Sequence, residues 1–322
     1  MVCEQPHPLI AIVGPTGSGK SDLALGLATV LDGQIVNCDS LQIYRGFNIG
    51  TAKVPEAARR KIPHFLIDIA SPGETFTAAE YARHARRALH EITAAGKVPF
   101  LVGGTGFYLT ALLDGLAPGP ARDEGLRERL QRREARRPGS LARILTRLDP
   151  ATAARIHSRD VHKLVRALEI CLRARKPASE VFGSGRNPLT GYRLLTLGLN
   201  PDRAALYERL NARAALMFQS GLPEEVRNLL SAGCPPDAKP LGALGYKQAL
   251  RHLRGELTLS EAIESTQKAT RHYAKRQWTW FRRNPDIHWL NGFGDAGEVF
   301  AAARALCREF LGNVTQLYSG SC

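Results

Sequence analysis

Short runs of apolar residues alternate with longer stretches of helical periodicity along most of this chain. The apolar runs predict strands at 9–13, 34–38, 65–69, 99–102, 194–199 and 287–290. Between them, the periodicity predicts helices at 21–30, 78–95 and 206–217. Such alternation is typical of a parallel sheet, because each crossover helix packs back on the sheet. The pattern therefore predicts an α/β fold with a parallel sheet flanked by helices.

One stretch interrupts this alternation. Residues 122–172 show helical periodicity without any strand pattern, and segments rich in Pro and Gly flank them at 116–120 and 183–188. We interpret 119–189 as an all-helical insertion domain, carried by an α/β core formed by 1–118 and 190–322.

Positive charge is concentrated in two segments. The chain has 322 residues and a formal net charge of +14, with 17 basic against 8 acidic residues in 119–186 and 8 against 3 in 251–283. Clustered Arg and Lys favour a polyanionic partner such as a nucleic acid, since each neutralised phosphate releases counterions. Solvated charges on an Arg-rich protein are the alternative at this stage.

The composition also limits the cellular setting. No apolar run approaches the ~20 residues of a membrane span, and the first residues lack the basic and apolar regions of a signal peptide. We therefore expect a cytoplasmic protein with no membrane partner. The six cysteines include no C-x-x-C pair, so we expect reduced, mostly buried thiols and no zinc site.

A glycine-rich turn follows the first strand pattern and precedes a helix pattern, which is the setting of a phosphate-binding loop. In such a loop, backbone N–H groups converge on phosphate oxygens, and the helix N-terminus adds positive potential. Lys20 can reach the outer phosphates, and the Ser21 hydroxyl can bind Mg²⁺. We predict a phosphate-loop NTPase-like core that binds a diphosphate through Gly14, Pro15, Thr16, Gly17, Ser18, Gly19, Lys20 and Ser21. A chance glycine-rich turn is the alternative, and the loop does not show whether the ligand is a nucleotide.

Two further segments follow predicted strands and should face the same crevice beyond the sheet. Asp39 follows the strand at 34–38, where it could bind Mg²⁺, accept a proton from a nucleophile or cap a helix. Gly103-Gly104-Thr105-Gly106 follows the strand at 99–102, where an ordinary phosphate-loop hydrolase or kinase would have an Asp. This departure counts against plain ATP chemistry. The glycines favour close approach to a ligand, with a tight turn as the alternative.

A strongly basic helix pattern occurs at 269–283. Arg271 and Lys275 are spaced i and i+4, so they share one face and could neutralise a diphosphate or nucleic-acid phosphates. Trp278 and Phe281 are spaced i and i+3, which favours burial in the core over stacking on bases.

These motifs, in their order along the chain, resemble those of the bacterial tRNA dimethylallyltransferases, also called isopentenyltransferases. The resemblance rests on the phosphate loop, Asp39-Ser40-Leu41-Gln42-Ile43-Tyr44, Gly50-Thr51-Ala52-Lys53, His64-Phe65-Leu66-Ile67-Asp68, Gly103-Gly104-Thr105-Gly106, Arg166-Ala167-Leu168-Glu169, Gly245-Tyr246-Lys247 and residues 270–277. Single motifs occur in other families, but the ordered set covers 9–289 and is specific.

The resemblance implies transfer of a dimethylallyl group from dimethylallyl diphosphate to N6 of the adenosine just 3′ of the anticodon, position 37 of tRNA. It implies Mg²⁺ as cofactor, and the tRNA anticodon stem-loop as a partner gripped by the helical insertion. A monomer suffices for this chemistry, and no obligate protein partner is expected.

The resemblance also assigns roles to residues. It makes Asp39 the catalytic base, with Thr105 beside the reacting amine. Lys20 and Arg271 would hold the diphosphate, and Ser21 would lie near Mg²⁺. The residues it implies for tRNA binding are Asp39, Ser40, Leu41, Gln42, Thr105, Arg127, His162, Lys163, Leu164, Val165, Arg166, Gly242, Ala243, Leu244, Gly245, Tyr246, Lys247, Arg271, Lys275, Arg276 and Gln277.

Two other enzyme classes stay open on the sequence. A phosphate-loop small-molecule kinase would also use Mg²⁺, but it would turn over ATP and leave both basic segments without a partner. An adenylate isopentenyltransferase would share the core and the diphosphate donor without needing a basic insertion. Binding to tRNA would separate both from the main interpretation.

Overall fold

The computed structural model describes residues 6–183 and 185–312. The strands in these ranges are β1 His7–Val13, β2 Gly33–Asn37, β3 His64–Phe65, β4 Val98–Val102, β5 Tyr192–Leu199 and β6 Ile287–Leu290. All six predicted strands are present, but β3 is shorter than predicted. The chain leaves the extended conformation at Leu66 and Asp68, whose φ angles are 64° and 58°, so pairing with β2 stops at Phe65.

The strands form one parallel sheet in the order β3-β2-β4-β1-β5-β6. Its register aligns Ile12 with Val102 and Val102 with Asn37, so β1, β4 and β2 end side by side. The segments that follow these three strands therefore emerge at one edge of the sheet. The predicted α/β fold with a parallel sheet is confirmed.

Helices lie between and after the strands. They are α1 Lys20–Val30, α2 Glu56–Lys61, α3 Ala78–Ala94, α4 Gly106–Leu113, α5 Glu124–Arg136, α6 Ser140–Leu148, α7 Pro150–Ala153, α8 Val161–Ala174, α9 Ala178–Gly183, α10 Arg203–Gln219, α11 Leu222–Ser231, α12 Tyr246–Leu253, α13 Leu259–Phe281 and α14 Gly297–Gly312. On α1, Leu23 and Leu27 are fully buried in one cluster with Ile10 and Ile12 of β1. Burial of each such side chain stabilises the fold by about 1.5–3 kcal/mol, which fixes the helix that follows the phosphate loop against the sheet.

The chain divides into two compact units, Met1–Leu112 with Leu189–Cys322, and Leu113–Pro188. The second unit contains α5 to α9 and no strand among its described residues. This unit begins at Leu113, whereas the sequence analysis predicted that it begins at residue 119. Leu141, Leu145, Leu164 and Leu168 form the centre of a hydrophobic core within this unit. The unit thus has a core of its own.

Within the part of the chain that the structure describes, none of the helices combines the length and the apolar character needed to cross a membrane. The described cysteines, Cys38, Cys171, Cys234 and Cys307, are free and buried, as predicted. Cys3 and Cys322 lie outside the described ranges.

Candidate active site

The phosphate loop connects β1 to α1, as predicted. Gly14, Gly17 and Gly19 have φ angles of 142°, 78° and 86°, which a residue with a side chain would adopt only under strain. Lys20 begins α1, and its Nζ donates to the carbonyl oxygens of Gly14, at 3.1 Å, and Pro15, at 2.7 Å. The ammonium group therefore lies over the loop, where phosphate oxygens of a ligand would compete for it.

The solvation of Lys20 favours an anionic ligand. Burial lowers the pKa of Lys20 to about 8, an effect that the Asp39 carboxylate opposes and Arg213 reinforces. A desolvated ammonium group gains more from an added negative charge than a hydrated one does. Lys20 is therefore a desolvated cation that an anionic ligand would stabilise.

Asp39 lies just beyond β2, at the edge of the sheet where β1 and β4 also end. Its Oδ1 accepts a hydrogen bond from the backbone N–H of Leu41 at 2.8 Å. Its own N–H donates to Oδ1 of Asn37 at 3.2 Å, which fixes the turn. Among the described residues, no hydrogen bond engages Oδ2 of Asp39, so one oxygen of this carboxylate is available to a ligand.

The glycine turn after β4 brings Thr105 to the same place. A Cβ on Gly103 would lie 2.1 Å from the carbonyl oxygen of Cys38, so only glycine allows this approach of the two strand ends. Oγ1 of Thr105 accepts from the backbone N–H of Ser40 at 3.1 Å, and the N–H of Thr105 donates to Cys38 at 3.2 Å. Thr105 is therefore held beside the segment that contains Asp39, as expected from the sequence.

Gln277 joins three parts of the site. From α13, its Oε1 accepts from the N–H of Thr16 in the phosphate loop at 2.7 Å, and its Nε2 donates to the carbonyl of Gly104 at 2.9 Å. The side chain is buried, and both ends of its amide are engaged. A tRNA contact of Gln277 stays a prediction, and in the structure its side chain ties α13 to the phosphate loop and the glycine turn.

Two cavities meet at Asp39. One, which we call the loop cavity, has a volume of about 400 Å³ and is lined by the phosphate loop and by Lys53, Arg209 and Arg213. The other, which we call the apolar cavity, has about 290 Å³ and includes Leu41, Leu210, Met217, Leu244 and Tyr273 in its lining. Both linings contain Thr16, Asp39, Thr51 and Arg213. One ligand can thus approach Asp39 from the cationic side and another from the apolar side.

Arg213 on α10 is a site residue that sequence reasoning missed. It lines both cavities, and burial lowers its pKa while the charge of Asp39 raises it. No ion pair joins Asp39 to Lys20 or Arg213 within the described ranges, although all three residues line the loop cavity. A signal was present in the sequence: Arg213 is spaced i+3 from Leu210 and i+7 from Leu206, on the apolar face of its helix.

Arg271 was predicted to hold the diphosphate and to bind tRNA, and both contacts stay predictions. Its guanidinium group donates to Oδ1 of Asn211 on α10, and Arg271 is not among the residues that line the loop cavity. The arginines in that lining are Arg209 and Arg213.

The other core residues predicted to bind tRNA fall into three groups. Residues that line the apolar cavity are Ser40, Leu41, Ala243, Leu244, Gly245 and Arg276, whereas Gln42 lines the loop cavity. Gly242, Lys247 and Lys275 are exposed. The side chain of Tyr246 is buried and its hydroxyl donates to Glu225 at 2.6 Å, so Tyr246 could meet RNA only through its backbone.

Among the aromatic residues of α13, Trp278 and Phe281 are buried in the core, as predicted, whereas Trp280 is exposed.

In the insertion unit, Arg127 and Arg166 both bind the buried carboxylate of Glu169. Arg127 donates to both oxygens, at 2.8 and 2.7 Å, and Arg166 donates to Oε2. Burial opposes ionisation of Glu169, but these hydrogen bonds outweigh it and lower the pKa of this carboxyl to about 2. The tRNA contacts of Arg127 and Arg166 stay predictions, and the structure adds a role in joining α5 to α8.

The remaining predicted residues of the insertion unit lie on α8. His162 and Lys163 are exposed, and Nζ of Lys163 forms an ion pair with Asp160 at 2.9 Å. Leu164 and Val165 are buried in the core of the unit, so their side chains do not reach its surface. A contact between RNA and this segment would therefore involve its exposed first turn.

The site suits a divalent cation held mainly by the ligand. In the described ranges, no group of three or more His, Cys, Asp or Glu side chains is arranged to bind a metal ion. Mg²⁺ needs no such cage, because it keeps several waters and binds substrate phosphates with one or two protein oxygens. The Ser21 hydroxyl and the Asp39 carboxylate both line the loop cavity and offer the oxygen ligands that Mg²⁺ prefers.

Comparisons with known proteins agree with this geometry. The sequence profile of the IPP transferase family matches residues 42–284. The chain is 59% identical to the tRNA dimethylallyltransferase of Solibacter usitatus, covering 95% of this chain and 99% of that protein, and 52% identical to that of Koribacter versatilis, covering 93% and 98%.

Solved structures give the same result. The crystal structure of a tRNA isopentenylpyrophosphate transferase from Bacillus halodurans matches with a TM-score of 0.72 at 34% identity, covering 97% of this chain and 99% of that one. A eukaryotic dimethylallyltransferase, captured crystallographically while acting on tRNA, matches with a TM-score of 0.81 at 28% identity, covering 95% and 80%.

Proposed function

Because this chain belongs to the IPP transferase family, we propose that it transfers a dimethylallyl group from dimethylallyl diphosphate to N6 of the adenosine at position 37 of tRNA. The observation that carries the proposal is the meeting of a cationic cavity and an apolar cavity at Asp39. A transfer reaction between an anionic donor and a planar base needs two such entrances to one reacting centre.

The donor diphosphate would occupy the loop cavity. Lys20 and Arg213 supply positive charge, and the phosphate loop supplies backbone N–H groups, so negative charge that develops on the leaving group is stabilised in place. Mg²⁺ bound through Ser21 and the diphosphate would add further neutralisation of the same oxygens. We expect this electrostatic effect to be the larger part of catalysis.

Asp39 would act as the base. The N6 amine of adenine is a poor nucleophile because its lone pair is delocalised into the ring, so loss of a proton must accompany attack. The new N6–C bond forms as the allylic C–O bond breaks, the diphosphate leaves, and the proton passes to the Asp39 carboxylate. A positioned general base contributes about 10²–10⁴-fold in such a step. Thr105, held beside Ser40, lies where its hydroxyl can orient the amine.

The basic segments would bind the RNA around the target. An adenine in an anticodon loop must leave its stack to reach Asp39, at an expense of a few kcal/mol. Phosphate contacts from exposed cations, among them Lys163, Lys247 and Lys275, can supply this free energy. Binding should therefore weaken steeply as salt concentration rises.

The test is transfer of a labelled dimethylallyl group from the diphosphate to an anticodon stem-loop with adenosine at position 37. The same loop with guanosine there, and free adenosine monophosphate, are the parallel acceptors. We expect label in the adenosine stem-loop alone. Asp39→Asn should reduce the rate by about 10²–10⁴-fold while RNA binding persists.

Asp286→Asn is the matched control, because Asp286 is exposed and lines neither cavity. It should transfer label at the wild-type rate. Label in free adenosine monophosphate would instead favour an adenylate isopentenyltransferase. Turnover of ATP without any prenyl transfer would favour a kinase and overturn the proposal.

A further inference from the structure

The segment between β6 and α14 lies directly against the phosphate loop. The N–H of Gly294 donates to the carbonyl of Ser18 at 2.8 Å. A Cβ on Gly294 would lie 2.2 Å from the carbonyl oxygen of Gly19, and one on Gly19 would lie 2.7 Å from the nitrogen of Gly294. The two segments therefore touch backbone to backbone, and neither position has room for a side chain.

This contact places residues 293–295 around a cation of the loop cavity. Nη1 and Nη2 of Arg209 donate to the two carboxylate oxygens of Asp295, at 2.9 and 3.0 Å. The same guanidinium group lies 4.8 Å from the centre of the Phe293 ring. Arg209 lines the loop cavity beside Arg213 and Lys20. The hydrogen bonds from Arg209 lower the pKa of Asp295, so the pair is ionised at neutral pH.

The value of this pair for stability is small. The side chains of Arg209 and Asp295 keep 38% and 46% of their exposure, and ion pairs this exposed contribute about 0–1 kcal/mol to folding. A bidentate contact nevertheless fixes the plane of a guanidinium group, and an aromatic ring on its face restricts it further. The arrangement thus does more to orient Arg209 than to hold the fold together.

We propose that Asp295 is a positioning residue that aims Arg209 at the donor diphosphate in the loop cavity. The inference rests on the proposed function and adds to it a second arginine for the diphosphate and a third element that shapes the phosphate loop. The segment lies beyond residues 42–284, the range that the family profile matches.

The experiment compares Asp295→Asn, Arg209→Gln and the double variant. Asn is isosteric with Asp but loses the bidentate ionic contact, so Arg209 becomes mobile. We expect KM for dimethylallyl diphosphate to rise about tenfold with kcat little changed, because Arg209 would bind the diphosphate alike before and during transfer. Calorimetric affinity for inorganic diphosphate with Mg²⁺ should fall by the same factor. The double variant should be no worse than Arg209→Gln alone.

Glu256→Gln is the matched control. It breaks the Arg251–Glu256 pair, whose 2.9 Å contact and side-chain exposures of 41% and 44% are close to those of Arg209 and Asp295, and neither residue lines a cavity near Asp39. This control should leave KM and diphosphate affinity unchanged.

Two results would overturn the inference: wild-type KM and diphosphate affinity in Asp295→Asn, or an effect that adds fully to that of Arg209→Gln. Absence of prenyl transfer by the wild-type protein would instead refute the proposed function. The calorimetric readout would still report on Arg209 and Asp295 in that case, so the two failures are distinguishable.

Discussion

Two groups of cations in this protein are arranged around a carboxylate, and they differ in what the carboxylate does. In the insertion unit, Arg127 and Arg166 contact Glu169 directly, and the N–H of Asp123 donates to it at 2.7 Å. In the α/β core, Lys20 and Arg213 face Asp39 across a cavity, with no ion pair between them among the described residues.

This difference distinguishes a cation that stabilises the fold from a cation that binds a ligand. The two arginines around Glu169 form ion pairs with this fully buried carboxylate, so their charge acts within the protein. In the loop cavity, Lys20 and Arg213 form no ion pair among the described residues, and the carboxylates of Asp22 and Asp39 share the lining with them. Desolvated cations that lack an ion-pair partner beside an open volume are typical of a site that binds an anion.

The largest loss of activity should follow substitution of Lys20 at the phosphate loop. Lys20→Met removes a cation from the leaving diphosphate, and kcat/KM should fall by about 10³-fold, as for a lost electrostatic donor. The melting temperature should not fall, since burial of the Lys20 charge opposes folding, as its lowered pKa indicates. Steady-state transfer and thermal melting test this together. A large loss of stability with transfer intact would reverse the assignment of Lys20.

In the insertion unit, removing a cation should reduce the stability of the protein. Arg127→Met leaves the buried Glu169 with Arg166 as its remaining arginine, and the free energy of unfolding should fall by about 3 kcal/mol. Arg173→Met is the control, since the Arg173–Asp123 pair is partly exposed and should contribute less than about 1 kcal/mol. Urea denaturation measures both. Equal losses in the two variants would contradict the structural role of Arg127.

The pH dependence of kcat/KM for the donor tests the charge of Lys20. Its pKa of about 8 predicts that kcat/KM for the donor falls as pH rises above 8, by about tenfold per pH unit, because the free enzyme loses the cation. Bound diphosphate stabilises the ammonium form, so kcat should persist to higher pH. A profile of kcat/KM that stays flat to pH 10 would contradict this assignment.

The smallest effects on stability should follow substitution of exposed arginines on α5. Arg133→Gln and Arg136→Gln should change the free energy of unfolding by less than about 0.5 kcal/mol. If either cation meets a tRNA phosphate, the slope of log affinity against log salt should become shallower by about 1. Filter binding at several salt concentrations gives this slope. An unchanged slope would place the RNA elsewhere on the protein.

Much of the site could be predicted from the sequence because its main parts are local. The phosphate loop, Asp39 and Thr105 each follow a strand, and parallel strands bring their ends to one edge of the sheet. Contacts between distant segments were missed. Gln277 reaches Thr16 from α13, and Asp295 reaches Arg209 from the segment before α14, and no periodicity in either segment indicates its partner.

The short β3 and the hydrogen bond from Arg271 to Asn211 have the same explanation. Backbone conformation at Leu66 and the choice of Asn211 as partner for Arg271 depend on tertiary surroundings that an apolar pattern does not encode. Arg213 is different, because a charged residue on the apolar face of α10 was visible in the sequence.

The most direct test of the central claim is the calorimetric affinity for inorganic diphosphate with Mg²⁺, measured on the wild-type protein, Arg213→Gln and Arg127→Met. The account predicts at least about tenfold weaker binding in Arg213→Gln, and wild-type affinity in Arg127→Met at a temperature where it is folded. Equal weakening in both variants, or none in Arg213→Gln, would contradict the claim that the unpaired cations of the loop cavity form the diphosphate site.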